Sequence, residues 1–378
     1  MFPHEEIRTA RLVLRRHRRE DVDDVCAYAG DDESARWVPS LAAPYRAEDA
    51  RRWIEQGAPA EWAAGGAQFA VVEHASGRVV GGIGLHHVHR VSGVAEVGYV
   101  IGPGARGRGY ATEAVVAVAT WAFRNGIARL ELMTDPANTT SQRVALAAGF
   151  TREGVRRSAG RARDGSRTDQ VAWARLPDDP PGRSPRQLPD LPSGGLTDGI
   201  VRLRPWGTGD LPALVALETD PDVVRWSLRG EPPTPEQVAA HVRAAPAEWL
   251  AGTHARCVIL DAATGEVAGS VAVWVELPAA RLGNLGYALG PGHRGRGLAT
   301  RAVTLLARWA FEEAGLERVH AGAAVANTGS RRVLERAGFR YEGVLRSYLP
   351  DAMGRQDVAL YSLLPGDAAP GTAWTGAP

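Results

Sequence analysis

The sequence predicts an α/β protein built as two tandem copies of one unit. The stretch 98–112, GYVIGPGARGRGYAT, returns 188 residues later as 286–300, GYALGPGHRGRGLAT. Each copy runs from a short apolar strand through a glycine-rich turn into a proline-free helix, over 111–123 and 299–311. The flanks repeat as well: 12–15 (LVLR) is echoed by 201–204 (VRLR), each with the alternation of a half-buried strand.

Length and composition fit this. The chain has 378 residues, enough for two domains of ordinary size, and its 44% apolar and 23% charged shares are those of a globular protein. A net charge of +1 gives no electrostatic reason to expect nucleic acid or an anionic membrane as partner. Every basic residue is arginine, which with the abundant alanine, glycine and proline reads as coding bias. Cys26 and Cys257, one in each half and at unmatched places, make neither a disulfide framework nor a thiolate metal site. The N-terminal stretch has no signal-peptide core and no apolar run reaches membrane-spanning length, so a cytoplasmic location is expected.

In chain order, Asp21 and Asp210 stand where helices open and are expected to cap them. The pair Arg36-Trp37 is answered by Arg225-Trp226, and Trp62 by Trp249. The segments 69–72 and 257–260 read as buried strands, each followed by a glycine turn and a second strand. Past the loop helix come strands at 129–134 and 318–323, then short helices opened by Asn138 and Asn327. A last hairpin closes each copy. The expected domains are 1–177 and 198–365, joined by a Pro/Gly-rich linker at 178–197 and followed by a disordered tail at 366–378.

The repeated loop has the parts of a diphosphate cradle. Gly107, Gly109, Gly295 and Gly297 permit a tight turn and close approach of a ligand to bare amides. Behind them a helix N-terminus offers unpaired N–H groups and about half a positive charge, and Arg106, Arg108, Arg294 and Arg296 add full charges. The loop also spells G-x-G-x-x-G, but prolines 103 and 291 interrupt it, and no acidic residue ends a second strand about twenty positions on. The better description is R-x-x-G-x-A, through Arg106, Gly109 and Ala111 and through Arg294, Gly297 and Ala299. This resembles the acetyl-CoA loop of the GNAT superfamily of N-acetyltransferases. Within it, N-x-x-S followed by R-V, G-F and E-G (Asn138, Ser141, Arg143, Gly149, Glu153; Asn327, Ser330, Arg332, Gly338, Glu342) is similar to the RimJ/RimL branch, which acetylates protein N-terminal amines and also small amines.

The resemblance implies two mixed-sheet GNAT units, each binding acetyl-CoA. In the first, Val100, Ile101, Arg106, Gly107, Arg108, Gly109, Tyr110, Ala111, Thr112, Asn138, Ser141 and Arg143 would hold the cofactor. In the second the corresponding residues are Ala288, Leu289, Arg294, Gly295, Arg296, Gly297, Leu298, Ala299, Thr300, Asn327, Ser330 and Arg332. Two neighbouring parallel strands are expected to splay, so that free backbone N–H groups face the thioester oxygen.

Acetyl transfer also needs a neutral amine and a tolerable thiolate. Glu96, two residues before Gly98, stands where this branch commonly places a carboxylate near the acceptor. Its counterpart is Asn284, which takes no proton at neutral pH. His320 is the only obvious substitute in the second unit, so catalysis is expected mainly in the first. The tyrosine with which many GNAT proteins protonate the thiol is replaced by Ala145 and Leu334, leaving Ser141 and Ser330. Trp37, His86 and His87, and Trp226, Trp274 and Asn284, are the expected acceptor walls. His87 and His89 would share a strand face, but Trp274 and Val275 stand opposite His86 and His87, and no metal is expected. The acceptor is a peptide or small-molecule amine, and a monomer or homodimer is expected. The rival readings are an antibiotic or amino-acid-like small-molecule acetyltransferase and a non-catalytic acyl-CoA-binding protein.

Overall fold

The computed structural model describes residues 2–227, 231–351 and 354–367, so the expected tail lies outside the described residues from 368 onward. The chain divides into two compact units between 185 and 186. The first contains β1 (Ile7–Arg8), β2 (Leu12–Arg15), α1 (Val22–Ala29), α2 (Asp32–Trp37), α3 (Ala47–Arg52), α4 (Ala58–Ala63), β3 (Ala67–Glu73), β4 (Val79–His89) and β5 (Val94–Ile101). It continues with α5 (Tyr110–Arg124), β6 (Arg129–Thr134), α6 (Thr139–Ala147), β7 (Thr151–Arg161) and β8 (Arg167–Arg175).

The second unit repeats the plan. Its elements are β9 (Leu196–Thr197), β10 (Val201–Pro205), α7 (Leu211–Glu218), α8 (Pro221–Trp226), α9 (Pro235–Leu250), β11 (His254–Asp261), β12 (Val267–Leu277) and β13 (Leu282–Leu289). Then come α10 (Leu298–Glu312), β14 (Arg318–Ala324), α11 (Thr328–Arg336), β15 (Arg340–Asp351) and β16 (Gly354–Leu363). The sheets run β1-β2-β3-β4-β5-β6-β8-β7 and β9-β10-β11-β12-β13-β14-β16-β15. Only β5–β6 and β13–β14 pair in parallel among the described strands.

Helical periodicity explains how the sheet is covered. Ala114, Val115, Val118, Ala119 and Ala122 of α5 lie on one stripe and are all fully buried. The opposite sheet face is covered by α1 and by α3 with the helical turn that follows it, where Val25, Ala29, Ala50 and Ile54 meet Ala70 and Val72 of β3. In the second unit α10 packs with Leu203, Ile259 and Val271, while Leu214, Val238 and Val242 of α7 and α9 cover Val258. The mirrored tryptophans Trp62 and Trp249 are buried, and their indole N–H groups donate to the carbonyls of Gln68 (3.0 Å) and Pro189 (2.8 Å).

Two local expectations change. Asp21 and Asp210 sit at the helix starts but do not cap forward. Each carboxylate turns back, accepting the N–H of Arg18 or Gly207 and a two-pronged bond from Arg15 (2.8 and 2.8 Å) or Arg204 (2.6 and 2.6 Å). An arginine six residues upstream offers two charged donors, against a single amide from the cap. The stretch 178–197 is packed on both sides of the division. Ser184 donates to the Phe150 carbonyl in the first unit, and Leu188 is fully buried in the second.

The Arg15–Asp21 pair gives a test of stability. Burial resists ionisation of Asp21, but the bonds from Arg15 and the Arg18 amide outweigh it, so its carboxyl sits below the ordinary range. A carboxyl depressed on folding contributes stability above its unfolded pKa, about 3.9, and loses it as the pH falls through the folded value. Asp21→Ala leaves a nearly buried guanidinium unpaired and should cost about 3–5 kcal/mol in urea unfolding at neutral pH. The deficit should shrink as the pH falls below the ordinary carboxyl range and wild-type Asp21 protonates too.

Candidate active site

The site of each unit forms where two parallel strands part. Strands β5 and β6 pair at only three positions, Val94 with Arg129, Ala95 with Leu130 and Glu96 with Glu131. Beyond Glu96 they diverge, yet neither is loose. β5 stays paired to β4 as far as Ile101, and β6 stays paired to β8 as far as Thr134. The second unit repeats this, with β13 and β14 pairing from Leu282–Arg318 to Asn284–His320 and no further among the described residues. The expected splay is therefore present in both units. Backbone groups inside each fork have lost their strand partner and are held in place by the strands outside it.

The glycine-rich loop closes the mouth of the fork. Gly107 and Gly109 have φ of 72° and 79°, and Gly295 and Gly297 have 74° and 77°, a region that side chains rarely adopt. A Cβ added at Gly107, Gly295 or Gly297 would meet nothing within 4 Å, so these backbones face open space. The first intrahelical bonds run from Glu113 to the Gly109 carbonyl and from Arg301 to the Gly297 carbonyl. The N–H groups of Tyr110, Ala111 and Thr112, and of Leu298, Ala299 and Thr300, precede those bonds and are the orphan donors of the helix start. Val100–Ile101 and Ala288–Leu289 lead into the loops.

The loop arginines are all held by carboxylates of their own unit. Arg106 donates to the Ile101 carbonyl (3.0 Å) and to Ser34, and pairs with Asp31 and Glu33. Arg294 donates to the Leu289 carbonyl (3.1 Å) and pairs with Asp220 and Asp222, each at 2.6 Å. Arg108 pairs with Glu73, and Arg296 with the buried Asp261, both at 2.6 Å. These guanidiniums tie the loop to carboxylates of the same unit, and Arg108 and Arg296 remain half-exposed. The carboxylates could not be seen as partners in the sequence, because 35 to 75 residues separate each from its arginine. Arg143 and Arg332 are exposed on α6 and α11.

Asn138 and Asn327 cap their helices, accepting the N–H of Ser141 and Ser330 at 3.0 Å. Their serines are not isolated. Ser141 Oγ lies 2.9 Å from the Tyr99 hydroxyl, and Ser330 Oγ lies 2.8 Å from that of Tyr287. Burial raises both phenols above the ordinary tyrosine value, Tyr287 to about 12. The helix positions where many GNAT proteins carry a tyrosine hold Ala145 and Leu334. The phenols come instead from the central strand, and the signal was present, since both copies keep a tyrosine directly after Gly98 and Gly286.

On the acceptor side of the first fork, Glu96 is about one-third exposed and its carboxylate lies 3.2 Å from His87 Nδ1. A bulge in β4 between His86 and His89 re-aims His87, which has φ of 46°. The alternation that would put His87 and His89 on one face is thus interrupted. His86, opposite Glu96, lies near Gln68 Nε2 (3.2 Å) and Glu61 (3.5 Å). Gln68 and Glu61 were not anticipated. A Cβ on Gly84 would overlap the Gln68 side chain at 2.3 Å, so this glycine is what lets Gln68 reach His86. Glu96, His86, His87 and Gln68 line a cavity of about 1000 Å³ that also takes in Trp37, Trp53, Tyr99 and Ser141. Among the described residues no group of three or more His, Cys, Asp or Glu side chains is arranged to hold a metal.

The second fork has other walls. Trp274 stands where the first unit has His86, its indole lying against Gly286, and Asn284 replaces Glu96. Trp226 lies on α8 under the Arg225 guanidinium, as Trp37 lies under Arg36.

The model of the acetyltransferase (GNAT) domain matches residues 11–151 and again 201–340. The chain belongs to the GNAT acetyltransferase family. It is similar to the N-acetyltransferase p20 of Bacillus licheniformis, 28% identical over 154 residues, 40% of this chain and 86% of that protein. It is likewise similar to the N-acetyltransferase YoaA of Bacillus subtilis, 30% identical over 158 residues, 42% of this chain and 88% of that protein. Among solved structures, RimJ of Mycobacterium smegmatis in complex with CoA-disulfide is 27% identical with a TM-score of 0.40, covering 48% of this chain and 90% of that one. The GNAT protein is thus an N-acetyltransferase, moving acetyl from acetyl-CoA to an amine, with two domains of the family in one chain.

Two equivalent cradles predict two CoA sites. Calorimetry should find two CoA bound per chain, and one in each of Gly109→Val and Gly297→Val. Both variants place a branched side chain at a left-handed φ on the ligand side of the loop.

Proposed function

We propose that the first unit acetylates a primary amine of modest basicity, the α-amine of a peptide or of an amino-acid-like small molecule, with Glu96 as proton acceptor. The observation that carries this reading is the position of Glu96. It is the last residue of β5 paired to β6, so its carboxylate stands at the apex of the fork, in the wall of the acceptor cavity. The energetics favour the same class. A free α-amine with pKa near 8 costs only about 1.4 kcal/mol to neutralise at pH 7, whereas a lysine near 10.4 costs about 4.6 kcal/mol. A partly exposed carboxylate working through a water suffices for the first.

The donor thioester lies along the fork, with its diphosphate on the loop amides and helix start and its carbonyl oxygen toward the unpaired backbone N–H groups. The neutral amine attacks the carbonyl carbon, the C–S bond breaks, and the thiolate leaves toward Ser141. The Ser141–Tyr99 hydroxyl pair supplies the hydrogen bonds that the sulfur needs. His87, three-quarters exposed, gives the proton held by Glu96 a path to solvent.

Glu96→Gln keeps size and polarity but takes up no proton. Acetyl-CoA affinity should survive while first-unit turnover falls about 10²–10⁴-fold below the acceptor's pKa, recovering in part as the pH rises and the amine deprotonates unaided. Thiol-release rates between about pH 6 and 9 test this, and an unimpaired variant across that range would remove Glu96 from the mechanism.

A further inference from the structure

The second unit lacks the carboxylate of the first but is not without a base. We propose that His320, held by Glu276, is the proton acceptor of a second acetyl-transfer centre, independent of Glu96. His320 stands directly across from Asn284, the last residue of β13 paired to β14. It is therefore at the apex of the second fork, as Glu96 is at the apex of the first. Its side chain is mostly enclosed, 16% exposed, and Nε2 lies 2.6 Å from the Glu276 carboxylate.

The way Glu276 arrives is informative. In β12 Val275 faces Gly283 and Leu277 faces Leu282, so Glu276 is the extra residue of a bulge. The equivalent strand of the first unit is bulged one pair nearer the fork, after His86 and Glu96, and there the bulge turns His87 toward Glu96. Both units thus use an irregularity at the end of one strand to join an imidazole to a carboxylate beside the fork. The order is exchanged: the first has carboxylate at the apex and histidine on the bulge, the second histidine at the apex and carboxylate on the bulge. A bulged glutamate meeting an apex histidine is a second, separately built solution to the same chemical need, which Asn284 alone would leave unmet.

With Nε2–H bonded to Glu276, the accepting atom is Nδ1. An acceptor ammonium gives one proton to Nδ1, directly or through a water. The freed lone pair forms the C–N bond to the acetyl carbon and the C–S electrons leave with sulfur. The tetrahedral nitrogen sheds its surplus proton to the thiolate, beside the Ser330–Tyr287 hydroxyl pair, and the imidazolium returns its proton to solvent. Glu276 touches no reacting atom and is a positioning residue. Other charged groups face His320 as well. Glu342 of β15 is held below the ordinary carboxyl range by Ser362, by Arg318 and in part by His320, and Arg318 neutralises it. From β13 and β16 the facing residues are the neutral Asn284 and Ser362. Trp274, paired with Asn284 on the next strand, puts an indole beside the apex, so the acceptor is a primary amine with a planar or apolar flank.

The test uses the full chain, with thiol release from acetyl-CoA measured for α-amino peptides, aromatic and aliphatic amino acids, and polyamines. His320→Gln should lower turnover about 10²-fold or more for one group of amines and leave the others intact, with two CoA still bound by calorimetry. For that same group Glu276→Gln should lower kcat without raising the acetyl-CoA KM. Glu276→Asp should restore part of the rate. Unchanged rates and profiles in His320→Gln for every amine would overturn the proposal, as would loss of one bound CoA, which would make the histidine structural. A failure of Glu96→Gln to slow any amine bears on the first unit alone and leaves this result standing.

Discussion

Everything in each unit depends on two parallel strands that stop pairing after three residues. Backbone N–H and C=O groups taken from a ladder cost free energy comparable to a lost hydrogen bond, on the order of 1–3 kcal/mol each when buried. A fold that leaves them open must restrain both strands from elsewhere and offer the gap to something that fills it. Here β4 and β8, and in the second unit β12 and β16, hold the fork from outside through its full length. The donors are then fixed before the ligand arrives, which is what makes such a gap useful for a developing oxyanion.

The fold was legible because the information was written twice. Two copies of strand, glycine turn and helix located α5 and α10 to within one residue at each end. What was not legible depended on partners distant in sequence. Asp31 and Asp220 sit more than seventy residues from the arginines they pair with, so the sequence does not show that these guanidiniums tie the loop to the first helices of each unit. Tyr99 and Tyr287 passed as strand residues because their hydroxyls matter only once α6 and α11 bring a serine to them. Bulges are hidden in the same way: a period of two places His87 with His89, and only the observed register shows His87 turned toward Glu96.

Comparing the units separates what the chemistry fixes from what it leaves free. The start of the loop helix is tied to the first strands in both, but with the charges exchanged. In the first unit Glu113 of α5 accepts from Thr9 and Arg11, and in the second Arg301 of α10 donates to Asp198 at 2.7 Å. A negative side chain in the first turn of one helix and a positive one in the first turn of the other would be a large change if side chains gripped the donor. It is a small one if backbone amides do, because either pair fixes the helix in the same place. The same holds for Glu73 and Asp261 beneath Arg108 and Arg296.

Acceptor binding has no such protection, since it is made by side chains and changes with each of them. The differences accordingly gather on one face of each sheet: His86 against Trp274, Glu96 against Asn284, Glu131 against His320. Read one position at a time, Asn284 looks like the loss of a base, and the second unit like a domain that only binds. Read across three strands, the carboxylate has moved to the bulge of β12 and the proton-accepting atom to β14, one strand further over. The requirement for a base at the fork belongs to the apex and not to any one residue there. A duplicated domain can therefore change its acceptor by rebuilding that apex while its donor cradle, made of backbone, stays as it was.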